Sequence, residues 1–258
     1  MVGKLLMRGM LVGIVAGLVT FAFARTFGEP QVAQAISFED HEHAAAGDAP
    51  EPELVSRGTQ AGLGLLTGVV SYGMALGGLF ALTYAYAYGR IGSIGARPLS
   101  AWLALAAFVA LVVVPTLKYP PNPPSVGDPE TIGYRTGLFF LTLAISIAAM
   151  VLSLNVRRIA ATRFGQWNGS LVGVIFFVVI VGVALSALPE INEVPAAFPA
   201  ALLWKFRTVA MGMQIVMWTS IGALFGMLAE RAPNMSRSAD ERGYVAGRMA
   251  RNFVRRGH

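Results

Sequence analysis

The chain has 258 residues, of which 55% are hydrophobic and 13% are charged, and it contains no cysteine. Because soluble domains carry about a quarter charged residues, this composition excludes an ordinary soluble domain. The lack of cysteine excludes disulfide bonds and thiolate metal sites. The formal net charge of +6 would suit nucleic acid, but the spacing of the charges favours a membrane protein.

Long neutral runs between the charges predict six transmembrane helices. Each run is apolar on every face and can cross about 30 Å of hydrocarbon as a helix, unlike the alternating strands of a β-barrel. The predicted spans lie at about 5–27, 62–88, 98–117, 136–156, 170–188 and 208–229. The predicted fold class is an all-α integral membrane protein, with six transmembrane helices in three hairpins joined by long outer loops.

The basic residues predict the orientation and the domain organisation. With six spans both termini share one side, and that side holds fourteen of the twenty lysines and arginines. The positive-inside rule therefore places both termini in the cytoplasm. Residues 1–231 are predicted to form the membrane domain and 232–258 a basic, flexible tail, which favours contact with anionic lipid over nucleic acid.

The first span has two interpretations. Its basic start, apolar middle and the Ala22–Ala24 sequence "AFA" resemble a cleaved signal peptide. However, Gly9, Gly13 and Gly17 form a row of small residues at helical spacing, which is typical of close helix packing in membranes. We therefore expect this segment to be retained as a helix.

The stretch "EDHEH", Glu39 to His43, lies in the first predicted outer loop together with other acidic residues. Carboxylates and imidazoles suit divalent ions of intermediate hardness. His41 and His43 share a side only in an extended segment, whereas in a helix Glu39 pairs with Glu42 or His43. The alternative is a loop whose charges only keep it in water. The candidate metal ligands are Glu39, Asp40, His41, Glu42 and His43.

The second and third outer loops carry further polar residues. Five prolines stiffen the segment 117–137, so it should hold a defined shape. Such loops could cap the mouth of a path through the helices. The candidate mouth residues are Asn122, Asp128 and Glu130 in the second loop, and Glu190, Asn192 and Glu193 in the third.

Each outer loop ends on an arginine shortly before a helix: Arg57, Arg135 and Arg207. Their spacing of roughly 75 residues indicates a weak internal repeat of three hairpins. Basic residues at a membrane interface commonly extend to lipid headgroups. Here they are on the side that usually has few, so we interpret them as pairing with outer carboxylates and fixing the loops.

The membrane interior lacks the residues of an enzyme or a coupled pump. No Asp, Glu, His or Lys lies near the middle of a predicted span, although coupled carriers commonly place one there. The chain has no phosphate-binding P-loop motif and no set of nucleophile, base and orienting residue. We predict no catalytic residue and no cofactor, and an energised pump would need a partner.

Several segments together resemble the CbtA family of predicted cobalt transporter subunits. They include the Pro-rich loop, and the resemblance covers about residues 5–231. The segments are "RGMLVGIVAGLVTFAFARTFGEP" (8–30), "EPELVSRGTQAGLGLLTGV" (51–69), "LKYPPNPPSVGDPETIGYRTGL" (117–138), "WN" (167–168) and "LPEINEVPAAFPAALLWKFR" (188–207).

The resemblance implies a bacterial inner-membrane protein that takes up cobalt for cobalamin biosynthesis. It also implies a small one-helix partner with a histidine motif, CbtB. Because the spans hold few polar groups, dehydration of the ion would need that partner or an oligomer of this chain. Two alternatives stay open, a Ni²⁺ transporter, which oxygen and nitrogen ligands do not exclude, and a membrane scaffold that transports nothing.

Overall fold

The computed structural model describes residues 2–47, 55–90 and 94–231, and no strand occurs among them. The prediction of an all-helical protein is therefore confirmed for this part of the chain. The helices are α1 Val2–Phe23, α2 Glu29–Ala46, α3 Arg57–Thr59, α4 Leu65–Ala87, α5 Ala96–Phe108, α6 Val114–Lys118, α7 Ile132–Ala187 and α8 Ala200–Glu230. A 3₁₀ turn, Pro129–Thr131, precedes α7.

Three short π-helical segments join successive α-helices without a break in the helical path. They are Ala24–Gly28 between α1 and α2, Gln60–Gly64 between α3 and α4, and Val109–Val113 between α5 and α6. Each inserts one wide turn, and such turns often occur at functional sites. Continuous helices that include these segments are therefore longer than the individual α-helices.

Five helices among the described residues are long and apolar enough to cross a membrane, where six were predicted. They are Val2–Ala45, Arg57–Ala87, Ala96–Lys118, Pro129–Ala187 and Ala200–Glu230. The predicted fourth and fifth spans fall in one of them, α7. Within α7 the backbone leaves the helical region at Gly165, where φ is 81° and ψ is 166°.

The first predicted outer loop is wrong over most of its length, because 29–46 is helix α2. In the sequence, Pro30 indicates the end of the preceding helix, since proline lacks an N–H and its ring clashes with the turn before it. Here Pro30 lies in the first turn of α2, after the π-helical segment, and proline is tolerated in a first turn because its missing N–H is one of the donors that a helix start leaves unpaired. Gly47, with φ of 80°, ends the helix in the left-handed conformation.

At two other places the helices extend beyond the predicted spans. The α7 helix runs through Arg157, Arg158 and Arg163, which lie between the predicted spans 136–156 and 170–188. Helix α8 begins at Ala200 rather than near 208. In both places the charged residues are good helix formers whose long stems keep their charges in water, so they extend a helix beyond its apolar part. The predicted tail 232–258 lies outside the described residues.

The chain divides into two compact units, and the first contains residues 1–22, 63–105 and 216–258. In this unit the backbones of α1 and α4 touch at glycines. A Cβ on Gly73 would lie 2.5 Å from the carbonyl oxygen of Gly13, and one on Gly17 would lie 2.8 Å from Cα of Val70. Only glycine permits this approach, as expected for a small-residue row in a membrane.

The rest of the first unit packs around Phe225 of α8. Its ring lies 5.3 Å from that of Phe80 and 5.0 Å from that of Tyr84, edge to face in both cases. Ser100 of α5 donates a buried hydrogen bond of 2.7 Å to the carbonyl of Gly222. These contacts join α4, α5 and α8 within the unit.

The second unit contains residues 23–62 and 106–215. One of its buried apolar clusters joins Val114 of α6 with Ala149 and Val181, which lie on opposite sides of Gly165 in α7. A Cβ on Gly169 would lie 2.6 Å from Cα of Ala161. The two parts of α7 therefore run back along each other from Gly165. This unit also contains all the residues of the candidate site.

Candidate functional site

Two polar connections in the second unit, 119–131 and 188–199, are joined by Glu193; together we call them the loop cluster. The Glu193 carboxylate accepts a hydrogen bond of 2.8 Å from the backbone N–H of Asp128 and one of 2.7 Å from the hydroxyl of Thr131. One carboxylate thus holds two points of the opposite connection. A charged acceptor makes such bonds stronger than neutral ones.

Arg135, in the first turn of α7, completes this contact. Its Nε lies 3.2 Å from the Glu193 carboxylate, and its Nη2 donates a 3.0 Å bond to the carbonyl of Asp128. Gly127 passes across the guanidinium with φ of 123°, and a Cβ there would lie 2.8 Å from Cζ of Arg135. Both the backbone angle and the space require glycine at this position.

Arg207 of α8 makes the reciprocal contact. Its Nη2 donates a 2.8 Å hydrogen bond to the side-chain oxygen of Asn122 in the Pro-rich connection. The arginine at the start of α7 therefore binds the connection before α8, and the arginine of α8 binds the connection before α7. This exchange ties the two connections together from both sides.

The third predicted arginine, Arg57, pairs with Glu29 at the start of α2. The two atoms, Nη2 and Oε2, are 2.7 Å apart, and the side chains are 31% and 12% exposed. Since Glu29 is largely shielded from solvent, this pair is screened less than a surface ion pair. All three arginines thus contact a carboxylate or amide of a different segment, and their role in fixing the loops stays a prediction.

Helix α2 is attached to the Pro-rich connection by polar and apolar contacts. Ser125 donates a 3.0 Å hydrogen bond to the carbonyl of Ala35. Ala35 is buried in a cluster with Val126, Phe198 and Leu202. The cluster explains why α2 remains helical beyond the membrane-length part of its helix, since most helical stability comes from packing.

The five candidate metal ligands lie on the last turns of α2. Glu39 is half-buried, and the other four, Asp40 to His43, are exposed. Because the segment is helical, His41 and His43 point to different sides, and the extended arrangement is not adopted. Glu39 and His43 share a face at i, i+4. Among the described residues, no group of three or more His, Asp or Glu side chains is arranged to hold a metal ion.

The predicted mouth residues separate into two sets. Asn122 and Glu193 are engaged by the arginines, whereas Asp128, Glu130, Glu190 and Asn192 are exposed. The Asp128 carboxylate also accepts a 2.8 Å bond from the backbone N–H of Glu130 and so caps the 3₁₀ turn. The mouth itself stays a prediction, but the exposed set leaves three carboxylates at the surface of the loop cluster.

Three residues of this arrangement are not among the candidates identified from the sequence: Thr131, Ser125 and Tyr119. The Tyr119 hydroxyl donates a 2.8 Å bond to the carbonyl of Pro189. The Asp-Pro-Glu-Thr run at Asp128 is a helix-start signal and could have revealed the cap. No local signal pairs Tyr119 with a residue 70 positions away.

Acidification is expected to weaken the contact at Glu193. Hydrogen bonds from the Thr131 hydroxyl and the Asp128 backbone, with the charge of Arg135, hold the pKa of this carboxyl below its ordinary value of 4.5. A lowered folded-state pKa contributes stability above the unfolded pKa, which is lost as the pH falls through the folded one. The melting temperature of the wild type should therefore exceed that of Glu193→Gln at neutral pH, and the difference should vanish well below pH 4.5. A difference that is independent of pH would contradict this.

The described residues thus define an all-helical, multi-pass membrane protein with two polar connections tied together at one site. The chain belongs to the CbtA family: the family described as "Probable cobalt transporter subunit (CbtA)" matches residues 2–230. The resemblance identified from the sequence is confirmed. No curated protein and no solved structure matches the chain.

Membership of this family has two direct consequences. The family is one of transporter subunits and is not an enzyme family. The word "subunit" implies that the chain works in a complex with a partner.

Proposed function

We propose that this chain takes up Co²⁺ across the bacterial inner membrane as the membrane subunit of a cobalt transporter. The match to the CbtA family over residues 2–230 carries the proposal, because it includes every described helix. The cobalt would serve cobalamin biosynthesis.

The proposal includes six spans, with α7 counted as two. Gly165 interrupts α7, and a Cβ on Gly173 would lie 2.7 Å from Cβ of Arg157 across the turn. The parts 132–164 and 166–187 each exceed the roughly 20 residues needed to cross a bilayer. An even number of spans puts both termini on one side, and the basic residues assign that side to the cytoplasm.

The loop cluster then lies on the outer side and forms the mouth. Its exposed carboxylates, Asp128, Glu130 and Glu190, create a negative potential that concentrates hydrated cations. Glu39 and His43, one helical turn apart on α2, supply an oxygen and a nitrogen donor, which suit Co²⁺. The arginines keep Glu193 and Asn122 occupied, so these two residues shape the mouth and do not bind the ion.

The membrane potential favours entry of the ion. It contributes roughly 2.3 kcal/mol per charge for every 100 mV, and a divalent cation gains twice this amount. The remaining barrier is dehydration, since the described helices carry few polar side chains. A small one-helix partner with a histidine motif, resembling CbtB, or an oligomer of this chain would supply the missing ligands.

Uptake of radioactive Co²⁺ tests the proposal, in cells that lack their own cobalt importers and express the chain with or without the histidine partner. We expect uptake that excess unlabelled Co²⁺ abolishes and excess Mg²⁺ leaves unchanged. Competition by Ni²⁺ at equal concentration would assign nickel as an alternative substrate. No uptake in either setting, with the protein present in the membrane, would favour a scaffold that transports nothing.

The double variant His41→Ala/His43→Ala examines collection of the ion on α2. We expect the half-saturating Co²⁺ concentration to rise on the order of tenfold, the lower end of the cost of losing a side chain that supports a metal site. The control is Gln34→Ala/Ser37→Ala, two exposed residues of the same helix. Equal behaviour of the two double variants would remove α2 from the proposed path.

A further inference from the structure

The three π-helical segments lie where the chain passes from one compact unit to the other. These crossing points fall between residues 22 and 23, 62 and 63, and 105 and 106. The segment Gln60–Gly64 contains its crossing point, and the segments Ala24–Gly28 and Val109–Val113 begin within one turn after theirs. The wide turns therefore coincide with the divisions between the two packed parts of the chain.

A π-helical turn interrupts the regular hydrogen bonding of a long helix. Its bonds join residues five apart instead of four, so the backbone ladder changes where the turn begins and ends. Sharp bends in helices occur at such turns and at prolines. A helix that contains one can change direction there while the α-helical parts on both sides keep their hydrogen bonds.

Prolines oppose the conversion of two of these segments into regular α-helix. Pro30 and Pro115 each lie in the first turn of the α-helix that follows a π-helical segment. In an uninterrupted α-helix, residues 30 and 115 would donate to the carbonyls of residues 26 and 111, which belong to those segments. Proline has no N–H to donate. The regular helix therefore loses one bond at each place, which brings its free energy closer to that of the bent form.

The first two segments are also held by few side chains. Each buries a single residue, Ala24 in the first and Ala61 in the second. A Cβ on Gly62 would have no atom within 4 Å. The third segment buries Ala110 and Val112. Since regions with few buried contacts open at low free energy, the first two segments should bend most readily.

Helix α8 crosses between the units in a different way. It passes from the second unit to the first between residues 215 and 216 and is α-helical throughout. Helix α7 lies entirely within the second unit. Thus α8 is a continuous connection, and the other three crossings carry the π-helical turns.

We propose that the three π-helical segments are hinges, at which the first unit changes its angle to the second while each unit keeps its internal packing. The glycine contacts of α1 with α4 lie within the first unit, and the loop cluster lies within the second. Bending at the segments disturbs neither. Movement of one rigid part against another is how many transporters open and close their paths. The hinge is a property of the backbone and does not depend on which ion the protein carries.

Distances between spin labels test the hinge in the full-length chain reconstituted in lipid bilayers. The chain has no cysteine, so introduced cysteines are the only labelled residues. Four exposed positions carry the labels, Leu79 and Leu105 in the first unit and Leu154 and Val178 in the second. Pulsed electron paramagnetic resonance measures the pair within each unit and two pairs across the units, Leu79 with Val178 and Leu105 with Leu154.

We expect one distance for each pair within a unit and two distances for the pairs across the units. Two distances in either pair across the units, with one distance within each unit, would support the hinge. A single distance in both pairs across the units, or two distances within a unit, would overturn it. A failure of cobalt uptake changes none of these results, so the hinge and the proposed function can fail separately.

Pro30→Ala assigns the movement to the π-helical segments. The variant supplies the N–H that a regular helix needs at this position, so the ratio of the two populations should shift on the order of fivefold, the value of about one net hydrogen bond. The matched control is Pro98→Ala. Both prolines are exposed, but Pro98 lies in the first turn of α5 and follows no π-helical segment, so its N–H would gain no helical partner. An unchanged ratio in Pro30→Ala, or an equal shift in the control, would overturn the assignment.

Hydrogen exchange of the wild type gives an independent measurement that needs no variant. The amides of the three π-helical segments should exchange faster than those of the α-helical turns on either side, because bending opens their hydrogen bonds first. Equal or slower exchange in the segments would contradict the proposal.

Discussion

Gly77→Leu is expected to prevent α1 and α4 from packing together. A Cβ at residue 77 would lie 2.8 Å from Cα and 2.9 Å from the backbone nitrogen of Gly13, and it would also meet the carbonyl oxygen of Gly9. Overpacking among side chains costs about 1–3 kcal/mol, and here rigid backbone must move, so we expect at least ~3 kcal/mol. The measurements are the monodisperse fraction after size exclusion in detergent and the melting temperature.

Gly68→Leu is the matched control for this prediction. Gly68 belongs to the same helix and is exposed, and a Cβ added to it would have no atom within 4 Å. Leucine also has a higher helix propensity than glycine, so this control should lose no stability through the helix itself. A similar loss of melting temperature and of monodisperse fraction in both variants would show that the close contact between α1 and α4 does not determine stability.

Asn122→Ala is expected to destabilise the loop cluster by about 1–3 kcal/mol, because a partly buried cation then loses its acceptor. Arg207 donates to the Asn122 oxygen at 2.8 Å, and its Nε is already buried without a hydrogen-bond partner. The melting temperature should fall, and hydrogen exchange should become faster across 119–131. Asn192→Ala, an exposed amide of the other connection, should leave both quantities unchanged.

A double variant that removes both partners of the Asn122–Arg207 hydrogen bond can be compared with the single variant that removes one. Removing one partner leaves a buried polar group unsatisfied, whereas replacing both by apolar groups can be nearly neutral. The double variant Asn122→Leu/Arg207→Leu should therefore be more stable than Asn122→Ala. If the double variant is the less stable of the two, Arg207 stabilises the protein through contacts other than the one with Asn122.

These contacts suggest how the loop cluster supports the proposed transport. The two connections are joined at Glu193 and at Asn122, so they should move together and not as independent loops. The carboxylates that remain exposed can then attract cations without disturbing the contacts that maintain the shape. The stability of the loop cluster and the uptake activity of the protein can be measured separately. Asn122 belongs to the mouth residues that the arginines bind, and Glu190 belongs to the exposed ones.

The sequence was enough to predict a membrane protein, because the free energy of transferring a segment from water to hydrocarbon depends on the residues of that segment alone. Each residue contributes to the insertion of its own helix, so the distances between charges alone indicate the spans. The third predicted span, 98–117, agrees closely with the helix Ala96–Lys118. The Pro-rich loop and Arg135 could likewise be identified from the sequence, because they form one contiguous stretch of residues.

Helix α2 was not predicted as an element, although a helix was one of the two conformations considered for residues 39–43. Its sequence shows no clear apolar stripe, and Pro30 follows closely on the first apolar run, where a proline is typical of the end of the preceding helix. The helix is stabilised by Ser125, Val126 and Phe198, which come from the two connections of the loop cluster. Tertiary packing therefore decides a secondary structure that propensity does not predict.

The sequence by itself determined that the protein is a helical membrane protein of the CbtA family and singled out three arginines near its polar connections. Only the tertiary structure decided what those arginines bind. Arg135 meets a carboxylate at residue 193, and Arg207 meets an amide 85 positions away. Such pairs depend on how the helices bring distant segments together, and neither the charge nor the spacing of a single arginine contains that information.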